Sequence, residues 1–182
     1  MYGGANLAVS LQRSAITSAQ DGTATIEFVM LFTPIILLMM SGAEAGLLNL
    51  RHVMLERGLD IAVRQVRLGP KTPPDHEALK KMVCDNAYLI PDCMNALAIE
   101  MSRVSKQSWN LLDATPVCRD RSEEIKPMTR YLPGAPSDLM IVRACVKAQP
   151  IFPAAALGGI MQKDAYGDYA FVSVSAFVNE PL

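Results

Sequence analysis

The sequence predicts an α+β protein in which a long N-terminal transmembrane helix extends into a small periplasmic domain with a second helix and an antiparallel sheet. Three observations carry this reading. A run from Phe28 to Leu50 is predominantly apolar and holds a single charged residue, Glu44. Apolar residues at three- and four-residue spacing then continue to about Leu68, as one helix leaving a bilayer would. After residue 96 the period changes to alternation, in runs rich in valine and aromatic side chains.

The chain divides accordingly into residues 1–22, 23–50, 51–70 and 71–182. Residues 1–22 are polar and small, with Arg13 as the one basic side chain, and read as a cytoplasmic leader. They are no secretory signal by themselves, because the apolar segment follows them and shows no small-residue cleavage site at its far end. At 1.5 Å per residue the next segment is long enough to cover about 30 Å of hydrocarbon. Pro34 removes one backbone hydrogen bond within it, which predicts a bend. Across the junction into residues 51–70, Leu47, Leu50, Met54 and Ile61, with Leu55, Leu59, Ala62 and Val66 beside them, form the apolar stripe. Glu56, Arg57, Asp60, Arg64 and Arg67 take the other face, and Gly69-Pro70 ends the helix.

Within 71–182, Thr72 is the expected N-cap of a second helix, with Pro73 at its first position and the helix running to about Leu89. Its apolar face is Leu79, Met82, Val83, Ala87 and Ile90. Strands are expected at 96–104, 139–148 and 169–178. In the last, Ala170, Val172, Val174, Ala176 and Val178 share one face, and that valine face is the one expected to lie on the helix. Residues 119–136 and 150–165 read as long connections.

Composition excludes some functions. The net charge is -1, and no cluster of Lys and Arg with interleaved aromatics occurs, so nucleic acid is not an expected partner. The four cysteines, Cys84, Cys93, Cys118 and Cys145, all follow the apolar run, and neither His52 nor His76 stands at a zinc-ligand spacing from them. No metal or other cofactor is expected. An even count beyond a membrane anchor fits two disulfides in an oxidising compartment such as the periplasm. Of the three possible pairings, closing the shorter loops favours Cys84 with Cys93 and Cys118 with Cys145; the other two, and free buried thiols, remain open. No nucleophile, base or metal cluster can be assembled, so no catalytic residue is assigned and the chain reads as a non-enzyme. Asp164 and Asp168, around Ala-Tyr-Gly, read as turn residues, and His52 as a residue of the membrane interface.

Orientation draws on opposing signals. Arg51, Arg57, Arg64 and Arg67 follow the span while the leader carries Arg13 alone, a distribution that by itself favours the opposite topology. The cysteines favour the leader inside and the domain outside.

The chemistry of function concentrates at Gly22 to Phe28. A peptidase cutting at the membrane edge needs an extended, unhindered bond, and Gly22 places one before Thr23. Cleavage there gives Thr23 a free amino group and leaves Glu27 as a carboxylate in an apolar stretch, in want of a partner. When several such helices pack, Glu27 of one subunit neutralises the new amino group of another, coupling processing to assembly. Glu44 has two readings: it snorkels near the outer interface, or it marks a helix-packing site with the small residues Gly42, Ala43, Ala45 and Gly46.

Gly22-Thr-Ala-Thr-Ile-Glu27-Phe28, the apolar run with Pro34, the Gly42-Ala43-Glu44-Ala45-Gly46 element and the helix that follows resemble the TadE-like minor pilins, or pseudopilins, of the tight-adherence (Flp) pilus system. The resemblance covers about the first 70 residues and beyond them is one of general plan. It implies that Gly22 and Thr23 flank a prepilin-peptidase cut and that Glu27 and Phe28 serve processing and assembly. It also implies an inner-membrane subunit with a periplasmic domain, whose partners are that peptidase and other pilin-like subunits bound through the N-terminal helix. The expected function is assembly or initiation of a type IVb-like pilus used for adherence. The rival expectation is a periplasmic scaffold or envelope protein on an uncleaved signal anchor.

Overall fold

The structure, a computed structural model, describes residues 21–68, 74–105, 107, 115–119 and 129–180. In chain order the elements are α1 (Asp21–Arg67), α2 (His76–Asn86), α3 (Cys93–Ala96), β1 (Leu97–Val104), β2 (Leu139–Ala148), α4 (Ala156–Ile160) and β3 (Tyr169–Val178). Residues 1–20 of the expected leader lie outside the described residues. The helix already includes Asp21 and Gly22, so the bond between Gly22 and Thr23 is helical where an extended one was expected. A peptidase acting there has to unwind the first turn.

α1 runs unbroken through Pro34. Its first half is long and apolar enough to cross a membrane, and the most apolar stretch of it has no residue buried. Its second half is amphipathic. Leu55, Leu59, Ala62 and Val63 are buried there, whereas Leu50 is half exposed, so the buried stripe sits slightly round the helix from the expected one. Gly58 marks the crossing with α2: a Cβ at this position would lie 2.6 Å from the Val83 carbonyl oxygen and 3.2 Å from the Ala87 Cβ. Only glycine lets the two backbones approach that closely.

α2 starts later and stops sooner than expected. Its N-cap is Asp75, whose Oδ1 accepts from the Ala78 N–H at 2.8 Å; Thr72 and Pro73 lie outside the described residues. A carboxylate at that point satisfies an otherwise unpaired amide and complements the positive helix end. The helix ends at Asn86, with the Ala87 N–H bonded to the Cys84 carbonyl. Leu79, Val83, Ala87 and Ile90 are buried as the pattern predicted.

The three strands form one antiparallel sheet in the order β1-β2-β3, with Ile99 opposite Ala144 and Ala144 opposite Ser173. One face packs on the helices, and the core joins Leu55, Leu59, Leu79 and Val83 to Leu97, Ile99, Met101, Met140, Val142, Val146, Phe171 and Phe177. Each such aliphatic or aromatic side chain contributes about 1.5–3 kcal/mol on burial. The packed face of β3 is the reverse of the one expected: Tyr169, Phe171, Ser173 and Phe177 are buried, while Val174 and Val178 are exposed. Three aromatic rings remove more apolar surface from water than the valines would. The small Ser173 and Ala144 sit side by side between them. Residues on the other face of β1 and β2, Ala98, Glu100, Ser102 and Arg143, are buried too, and Cys118 is bonded to Cys145 on that face.

Candidate functional site

The residues singled out at the N-terminus lie on the unpacked half of α1. Thr23, Glu27 and Phe28 are exposed, Phe28 at 62%, and the Phe28 ring stacks on Phe32 one turn on, with centroids 5.1 Å apart. Nothing else in the described chain covers this face. A Cβ placed on Gly42 or Gly46 would meet no atom within 4 Å, so both leave the helix surface open to close approach.

Glu44 is the exception on this half of the helix. It is fully buried, and by its own chain. The Ile151 N–H lies 3.1 Å from its Oε1 and 3.0 Å from its Oε2, and the Phe152 N–H donates to Oε2 at 3.1 Å. The partner of the one charge in the apolar run is thus a pair of backbone amides in the connection after β2, which two adjacent acceptor oxygens suit. Two turns further on, Arg51 donates from Nη1 to the Gln149 carbonyl at 3.1 Å and to the Tyr169 hydroxyl at 3.0 Å. Burial raises the pKa of Tyr169, the neighbouring Arg51 guanidinium opposing it. Glu44 and Arg51 together clamp the start of the 149–168 connection and of β3 to the point where α1 leaves its apolar run.

The same connection closes on a turn. Asp164 Oδ1 accepts from the N–H groups of Tyr166 and Asp168, each at 2.9 Å, its Oδ2 stands 2.8 Å from Lys147 Nζ, and Gly167 takes φ 80°. Burial acts to raise the Asp164 pKa, but the Lys147 and backbone bonds outweigh it and hold the group below the ordinary carboxylate range. Asp164 and Asp168 therefore build a turn. Among the described residues no group of three or more His, Cys, Asp or Glu is placed to hold a metal ion.

Two disulfides brace the domain. Cys84 on α2 joins Cys93 at the start of α3, where Asp92 adopts φ 49° to bring the chain back, and Cys118 joins Cys145 on β2. Beside the second bond, Arg143 lies 2.7 Å (Nε) and 2.6 Å (Nη2) from Glu100 Oε2, a buried ion pair that sequence spacing gave no reason to join. His52 pairs with Glu56 one turn on at 3.2 Å. Tyr131 donates to the Pro74 carbonyl at 2.5 Å, and its pKa is pushed up to about 12, by burial first and by the charge of Asp75 second.

Fold and site together define an α+β domain, braced by two disulfides of the kind that oxidising compartments preserve, on a helix long and apolar enough to be a membrane anchor. No protein-family model, no curated protein and no solved structure matches the chain.

Proposed function

We propose that this chain is a minor pilin or pseudopilin of the Flp type, which enters the inner membrane through α1, is cut between Gly22 and Thr23 by a prepilin peptidase, and contributes to assembly or initiation of an adherence pilus. The observation that carries the reading is the position of Gly22, Glu27 and Phe28 at the head of a helix whose most apolar stretch has no residue buried. Such a surface asks for lipid first and then for other helices. Glu27 at the fifth position of the processed chain is an exposed carboxylate at lipid depth, which the α-amino group of a neighbouring subunit neutralises. The disulfide-braced domain lies on the periplasmic side.

The test separates processing from assembly. In cells that express a prepilin peptidase, Gly22→Phe leaves the chain at its full length on denaturing gels, while Glu27→Leu is shortened like the parent but loses cross-links to pilin-like subunits. Unchanged shortening of the Gly22→Phe chain contradicts the reading and favours an uncleaved anchor.

A further inference from the structure

We infer that the connection between β2 and β3 is a second membrane contact: residues 150–161 dip into the outer leaflet beside α1, so that the domain rests on the bilayer rather than standing off it on a stalk. The inference rests on α1 spanning the membrane, and what it adds is the lipid surface as the occupant of an otherwise uncovered apolar loop.

The composition of the loop is the first observation. No charged residue occurs between Lys147 and Lys163, and the stretch reads Pro-Ile-Phe-Pro-Ala-Ala-Ala-Leu-Gly-Gly-Ile-Met from Pro150 to Met161. A water-facing connection of this length ordinarily carries polar and charged residues. Both of its isoleucines are exposed as well, Ile151 at 48% and Ile160 at 82%, while Phe152, Leu157 and Met161 are half-buried. The loop is nevertheless held in one shape, because Lys163 Nζ donates to the carbonyls of Pro153 and Gly158 at 2.6 and 2.7 Å. Two of its backbone carbonyls are thereby satisfied by a cation from the end of the loop.

The height of the loop is the second observation. Glu44 binds the amides of Ile151 and Phe152, which fixes the loop at the level of residue 44 on α1, and α4 packs on the same helix. Counted from Thr23, residue 44 lies about 32 Å along the helix; counted from Phe28 it lies about 24 Å along it. A hydrocarbon layer of about 30 Å puts that level at, or a few Å inside, the far edge. An apolar element held there meets the headgroup and upper acyl region, where interfacial segments bury to a depth of about 5–10 Å. The rest of the domain points away from this level. Arg51 reaches Tyr169 at the start of β3, and Arg67 reaches Glu180 just beyond its end, so β3 runs outward along α1. The clamp also removes the cost of Glu44 at lipid depth, because its carboxylate is sealed by amides and covered by the loop.

The experiment uses the full chain with both disulfides intact, in a Trp109→Phe background, reconstituted into phosphatidylcholine–phosphatidylglycerol vesicles with and without lipids brominated along the acyl chain. A single tryptophan is placed in turn by Leu37→Trp on α1, Ile160→Trp or Ile151→Trp on the loop, and Val178→Trp at the outer end of β3, all exposed positions. The expected result is at least twofold quenching for Leu37→Trp and for a loop position, with little for Val178→Trp. Quenching at Leu37→Trp with neither loop position quenched beyond Val178→Trp overturns the loop contact and leaves the membrane span standing. Equal quenching at all four positions also overturns it, since the contact is then not confined to the loop. No quenching at Leu37→Trp removes the span itself, and the inference with it.

Discussion

Replacing Glu44 by Ala is the perturbation with the most direct structural arithmetic. The parent carboxylate accepts from two part-buried amides, those of Ile151 and Phe152. Without an acceptor each amide is left unsatisfied, at about 1–3 kcal/mol apiece, unless the loop opens and water takes over. Opening is the cheaper course, so the loss appears as local release of residues 149–162 and not as unfolding of the disulfide-braced core. A loss of about 2 kcal/mol corresponds to roughly 30-fold faster hydrogen exchange at those two amides. Glu44→Gln keeps one acceptor oxygen and gives a smaller acceleration. Exchange measured by mass spectrometry on the detergent-solubilised chain reads both. Exchange at Ile151 and Phe152 within twofold of the parent in Glu44→Ala refutes the clamp.

Three further outcomes follow from the fold. Replacing Cys118 and Cys145 by Ala opens the longer of the two loops, with a sequence separation of 27 against 9. Chain-entropy arithmetic assigns about 3.6 kcal/mol to the longer loop and about 2.7 kcal/mol to the shorter, so urea denaturation of the first double variant has the lower midpoint. Gly58→Ala drives a methyl against the Val83 carbonyl and α2, costing about 1–3 kcal/mol in the same assay, while Gly42→Ala on the open part of α1 is neutral to the domain. Tyr131 holds its proton to about pH 12, above the ordinary tyrosine value, so its contribution to stability is fully present below about pH 10 and fades as the pH rises toward 12. Tyr131→Phe removes both the late step in a tyrosinate absorbance titration and that part of the alkaline loss.

The strands were legible because alternation of β-branched residues has few other meanings, and β2 and β3 fall on the expected residues. Which face of β3 packs was not. The face of Val172, Val174 and Val178 was expected to pack, yet the size of Tyr169, Phe171 and Phe177 decided the matter, and Ser173 went inside with them. The N-cap moved from Thr72 to Asp75 because both segments carry capping chemistry, and local pattern does not rank them. Glu44 was conspicuous as the one charge in an apolar run, but its partners are amides more than a hundred residues later, which no side-chain pattern announces. The signal available was indirect: a second uncharged stretch, residues 148–162, with a composition unlike that of an exposed loop. The buried pair of Glu100 and Arg143 is of the same kind, readable only once the β1–β2 register is known.

The central claim is that the helix carrying Glu27 begins, in the working protein, at Thr23. Intact-mass measurement of the chain extracted from membranes of cells that contain a prepilin peptidase tests it most directly. The expected mass is lower by that of residues 1–22, with Thr23 at the amino terminus and both disulfides present. A chain that retains residues 1–22 while the peptidase processes a control prepilin in the same cells contradicts it.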